Sequence, residues 1–198
     1  RSHRLIHLGC WAHARRYFVE AEAILPKAAR RPDQLATQFI AAIARLYAVE
    51  VKAKGKAVAE RAQLREAASR PVLAEIQHML VTHRHSVTPG SLLGKALHYL
   101  EAQWPKLIRY VENGAWPIDN NLCENAIRPF VVGRRNWLFA DTVAGANGSA
   151  NIYSLIETCK ANGVDTYRYL VALFKALPLA KTADDYEQLL PWHLTLGD

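Results

Sequence analysis

The densest run of side chains able to do chemistry is Asp119-Asn120-Asn121-Leu122-Cys123-Glu124-Asn125-Ala126-Ile127-Arg128-Pro129-Phe130, followed by Gly133-Arg134-Arg135-Asn136-Trp137-Leu138-Phe139. Two carboxylates this close suggest a divalent-cation site, because hard cations take oxygen ligands. Helix geometry separates them. Five residues apart, Asp119 and Glu124 would point about 140° away from each other and could not chelate one ion. Asp119 is therefore predicted to be an N-cap, accepting from a backbone N–H of the helix that follows. Glu124 shares a helix face with Asn121 and Arg128, at steps of three and four. Read from the residues alone, its ordinary role is an exposed ion pair with Arg128.

Three further groupings could bind something. Arg134, Arg135, Asn136 and Trp137 combine guanidinium groups with an aromatic, a mixture suited to phosphate contact and base stacking, and Arg15-Arg16 is a second basic pair. A charged surface beside a core tryptophan gives the same pattern, and for Arg15 and Arg16 the surface reading is the stronger. The step Cys10-x-x-His13 could supply two zinc ligands, with His3 and His7 nearby. Structural zinc normally takes four ligands in paired clusters, and no second close Cys/His pair follows, so zinc is not expected. Gly145-x-x-Gly148 ahead of a helix could cradle a phosphate but reads more simply as a turn.

The elements that must position these residues are mostly helices. Residues 5–9 are apolar and closed by Gly9, predicting a strand that runs into a helix over 11–24. Pro26 and Pro32 bracket a break, after which Asp33 is predicted to cap a helix over 34–51. Leu35, Phe39, Ile43, Leu46 and Tyr47 form one apolar stripe on it. Gly55 marks a pause, and further helices are predicted over 57–69, 72–83 and 92–111 before Asn113-Gly114 stops the last. A short helix over 120–128 then ends at Pro129, 130–140 reads as extended, and 144–148 as a flexible turn. Helices capped by Ser149 and Asp165 follow, over 149–161 and 166–177, the first closed by Asn162-Gly163 and the second stopped at Pro178.

Composition sets the class of partner. Half the chain is hydrophobic, 51% of 198 residues, which is ample for a core and excludes disorder as the default. The formal charge of +7 suits a protein that meets phosphates. It is concentrated in residues 1–100, with 16 basic and 7 acidic side chains, against 9 and 11 in the remainder. Lys52, Lys54 and Lys56 are predicted to form a solvated face that adds nonspecific attraction to DNA. Three widely spaced cysteines fit reduced thiols in a cytoplasmic protein, and no apolar run approaches the ~20 residues of a membrane span. The chain starts at Arg1 and runs at once into apolar sequence, which suggests a piece of something longer.

In order along the chain, Leu8-Gly9-Cys10-Trp11-Ala12-His13-Ala14-Arg15-Arg16-Tyr17-Phe18, Leu46-Tyr47-Ala48-Val49-Glu50, Ser91-Leu92-Leu93-Gly94-Lys95-Ala96, Ile118-Asp119-Asn120-Asn121 with Glu124 and Arg128, the stretch 133–139, and Tyr153-Ser154-Leu155-Ile156-Glu157 resemble the insertion sequence 66 family of bacterial transposases. The resemblance implies a mainly α chain with a small α/β part: a partial ribonuclease-H-like core interrupted by a helical insertion. Residues 1–28 would close the first part of that core, 29–114 form the insertion, 115–177 return to the core with the glutamate helix, and 178–198 form a tail. Glu124 matches the glutamate of a catalytic Asp-Asp-Glu set that holds two magnesium ions at the scissile phosphate. The two aspartates would lie before Arg1, so the chain by itself is expected to be inactive. Arg128 would orient Glu124 and, with Arg134, Arg135, Asn136, Trp137, Arg15 and Arg16, contact DNA. DNA ends and target are the implied partners, together with other copies of the full-length protein. The competing reading is a non-catalytic helical DNA-binding or assembly module, a remnant of a decayed mobile element.

Overall fold

The computed structural model describes residues 5–137 and 140–194, and of these the side chains of 134–137 are not described. The chain divides into two compact units, Arg1–Leu122 and Cys123–Asp198.

The first unit is a helical assembly of α1 (Trp11–Glu22), α2 (Leu35–Ala53), α3 (Val58–Leu64), α4 (Arg70–His83) and α5 (Leu92–Leu107). Its core is the stripe predicted on α2, met by apolar faces of the other helices. Phe39, Ile43 and Leu46 are fully buried with Trp11, Phe18, Ile76, Leu97 and Leu100. Phe18 stacks on Phe39 at 4.5 Å, and Trp11 meets Trp104 edge-on at 6.1 Å. Burying such rings contributes about 1.5–3 kcal/mol each, which is what holds α1 onto α2 and α5.

The predicted strand over 5–9 does not form, and no strand occurs among the described residues. The reason lies in where the backbone groups go. Gly9 N–H donates to Lys106 O at 2.9 Å and Trp11 Nε1–H donates to Leu107 O at 2.9 Å, so this segment satisfies carbonyls at the C-terminal end of α5 instead of a neighbouring strand. Asp33 does not cap α2 either. Gln34 holds that position without a side-chain bond, and Asp33 pairs with Arg31 at 3.4 Å. Between α3 and α4 the helix is not broken at Pro71. It passes through a π-turn, Arg65–Ser69, that widens the ring just where proline at the second position of α4 removes a donor.

The second unit contains most of α6 (Asn121–Trp137), then α7 (Val143–Ala161), α8 (Thr166–Ala176) and α9 (Ala183–Gln188). Cys159, Tyr169, Leu173 and Leu189 form its small core, and Tyr169 Oη donates to Leu189 O at 2.8 Å to tie α8 to the end of α9. Asn162-Gly163 closes α7 as predicted: Gly163 has φ +68°, and Val164 N–H and Gly163 N–H return to Cys159 O and Lys160 O, a Schellman arrangement. Asp165 caps α8, accepting from Arg168 N–H at 2.8 Å.

Two predictions fail in this unit. Residues 130–137 are helical, because α6 continues through Pro129; residues 138 and 139 lie outside the described residues. Proline costs one hydrogen bond to Asn125 O, but its φ is helical. The apolar face carrying Phe130 packs edge-on against Tyr153 of α7 at 5.3 Å, so tertiary contact outweighs the local signal. The predicted turn at 144–148 is likewise the first part of α7. Thr142 caps it, Oγ1 accepting from Gly145 N–H at 3.0 Å, and Ala146 N–H already donates to Thr142 O at 3.0 Å. The described chain is thus mainly α, without the small α/β part.

Candidate functional site

Glu124 stands in the first turn of α6 and is partly buried. A carboxylate there lies at the positive end of the helix dipole. Arg128 lies one turn further along, exposed, on the same face. Arg134, Arg135, Asn136 and Trp137 occupy the last turn of the same helix, and their side chains lie outside those described. The second unit also has a groove of about 520 Å³ between α6 and α7, lined by Ile127 and Phe130 on one side and Tyr153 and Glu157 on the other. Two of the sequence segments singled out above meet here.

In the first unit, Asp119 performs the predicted helix-start role from one residue further out than an N-cap. Its Oδ1 accepts from Asn121 N–H at 3.1 Å, and its Oδ2 from Asn121 Nδ2 at 2.9 Å. Oδ2 also accepts from Tyr47 Oη at 2.8 Å, across 72 positions of sequence. Burial, and then this hydrogen bond, push the Tyr47 hydroxyl far above the ordinary tyrosine range, so it remains a donor. Cys10 and Arg15 act electrostatically on the same hydroxyl, Arg15 in the opposite sense. Residues from α1, α2 and the entry of α6 are thereby gathered at one place. Tyr47 had been legible only as part of the α2 apolar stripe; its position four residues after Ile43 gave no hint of its partner.

Arg65 is a second feature that spacing could not reveal. It is 1% exposed, and its guanidinium is compensated by an ion pair and backbone acceptors. Nε and Nη2 donate to the two oxygens of Glu50 at 2.8 and 2.6 Å. Nη1 donates to Tyr110 O at 2.8 Å and Asn113 O at 2.9 Å, and the cation lies 5.0 Å from the centre of the Tyr110 ring. This clamp holds the turn that leads to Ile118 and Asp119.

Arg15 and Arg16 are both exposed on α1. Cys10 precedes α1 and His13 is partly buried on it, but no group of three His, Cys, Asp or Glu side chains among the described residues could hold a metal ion. Among the described residues no three-ligand set gathers at Cys10 and His13 or at Glu124, and His3, named with the first pair, lies outside the described residues. The cysteines are free thiols, Cys159 buried and Cys123 exposed. No helix among the described residues is long and apolar enough to cross a membrane.

A family model described as "Transposase IS66 family" matches residues 1–148, and one described as "IS66 C-terminal element" matches residues 154–192. Curated relatives include three Sinorhizobium fredii proteins. "Uncharacterized protein y4qI" is 32% identical over 93% of this chain and 33% of its own length. "Uncharacterized protein y4jD" is 29% identical over 93% and 35%, and "Uncharacterized protein y4hP" 30% over 92% and 34%. The chain thus spans about a third of the length of the curated relatives it matches. No solved structure matches it.

Proposed function

The chain belongs to the IS66 transposase family, and from that premise we propose that it contributes the glutamate of a metal-dependent site with which a longer protein cuts and joins DNA at the ends of a mobile element. The observation that carries this reading is the placement of Glu124: a partly buried carboxylate in the first turn of a helix whose entry is fixed by Asp119. Magnesium is the fitting ion, since it takes hard oxygen ligands and usually one or two carboxylates with substrate phosphate oxygens. A single carboxylate does not assemble such a site, so the two aspartates and the rest of the ribonuclease-H-like core, of which residues 1–28 and 115–177 would form part, are assigned to the longer protein. Arg128, on the Glu124 face, is assigned to orienting that carboxylate. Arg15, Arg16, Arg128 and the 134–137 segment are assigned to DNA, and the full-length protein to a cytoplasmic oligomer acting on paired ends.

In the full-length protein, Glu124→Gln is expected to abolish magnesium-dependent strand cleavage while leaving DNA binding intact; unchanged cleavage would overturn the assignment. A second reading, a non-catalytic DNA-binding or assembly module, is favoured for this chain alone by the lack of any three-ligand group among the described residues. It predicts salt-sensitive DNA binding by the 198-residue chain without any nicking.

A further inference from the structure

The first unit has a groove of about 700 Å³ that none of the roles above uses. One wall is the connection from α4 to α5, and the other is α5 itself, with Tyr17 of α1 at the edge. Gly94 lets the two walls meet closely: a Cβ there would come 2.2 Å from Thr88 O. The groove contains a stacked aromatic pair, Tyr17 on Tyr99 with centroids 4.5 Å apart and planes at 27°, and Tyr17 is 37% exposed. Lys95 and His98 follow each other one turn apart on α5, both exposed, and His85 faces the same space from the connection. Glu101, the acidic side chain among the lining residues, is paired with Arg84. Its charge is therefore neutralised locally, and Lys95 is left to attract an anion.

We propose that this groove binds a single-stranded segment of DNA, with a base against the Tyr17 ring and the adjacent phosphate on Lys95. The inference rests on the DNA reading above. A partly open aromatic beside a cation is what base stacking and phosphate contact require. The volume falls in the ~300–1,000 Å³ range of ordinary ligand pockets, which admits an unstacked nucleotide and not a duplex.

The test is fluorescence anisotropy with a short labelled single strand and with the duplex of the same sequence, at low salt, using the chain as it stands. The single strand is expected to bind more tightly than the duplex. Tyr17→Leu should weaken its binding by about fivefold or more, the loss typical of a base–aromatic stack, whereas Tyr17→Phe, which keeps the ring, should stay close to the parent. Lys95→Glu, at an exposed helical position that folding does not depend on, should weaken it more than Lys52→Glu, which lies outside the groove. If Tyr17→Leu and Lys95→Glu both bind as the parent does, the groove is overturned and the DNA reading stands. If neither form of DNA binds at low salt, both fall.

Discussion

Replacing Glu50 with glutamine removes one charge from the Arg65 clamp while keeping its volume. Arg65 is 1% exposed and Glu50 18%, and the pair is bidentate at 2.8 and 2.6 Å. The new amide would offer one acceptor oxygen where the carboxylate had two, and would turn its N–H₂ toward a guanidinium that can only donate. Breaking a buried pair from one side typically costs about 3–5 kcal/mol. Two backbone carbonyls and the Tyr110 ring remain for Arg65, which places the expected loss at the low end, about 3 kcal/mol. For a domain of this size that is a fall in Tm of about 10 °C. Glu66→Gln provides the comparison: its ion pair with Arg70 is 61% and 52% exposed on the two sides, and such surface pairs are worth about 0–1 kcal/mol. Denaturant unfolding of both variants, followed by circular dichroism, measures the difference. If Glu50→Gln loses no more than Glu66→Gln, burial is not what gives the Arg65 pair its weight, and the clamp on the turn before Asp119 has been misread.

Alkaline stability should report on Tyr110. Burial pushes its hydroxyl up from 10.0 to about 12. The folded state therefore holds the proton more tightly, and the stabilisation present below pH 10 should be lost progressively as pH rises toward about 12, to a total of roughly 2–3 kcal/mol. Tyr110→Phe should reduce that loss in unfolding measurements taken across the same pH range, the remainder coming from other raised tyrosines such as Tyr47; an unchanged slope would assign it elsewhere. Thr142→Ala removes the cap of α7 and should cost about 1 kcal/mol, with amide exchange accelerating at 145–148. Were exchange there already fast in the parent, the helix would begin near Ser149 as the sequence suggested.

The helical character, the α2 stripe, the Asp165 cap and the Gly163 closure were all legible in the sequence, because each is written in side chains within one or two turns of each other. It also carried the family, since ordered motifs spread over most of the chain are a property of sequence and need no fold. It misjudged residues 5–9, 130–137 and 144–148, where the local signal was apolar alternation, proline or glycine. For the first two the outcome depended on contacts from far along the chain, α5 carbonyls for Gly9 and Trp11 and Tyr153 for Phe130, and for 144–148 on the local cap by Thr142. Near the candidate site the division is the same. Helix geometry alone separated Asp119 from Glu124 as ligands of one ion. Only the tertiary structure placed Tyr47 on Asp119, Glu50 on Arg65 and Tyr17 on Tyr99, because hydrogen bonds and ring contacts across 15 to 82 positions are made by packing, and no local periodicity encodes which partner a half-buried polar group will find.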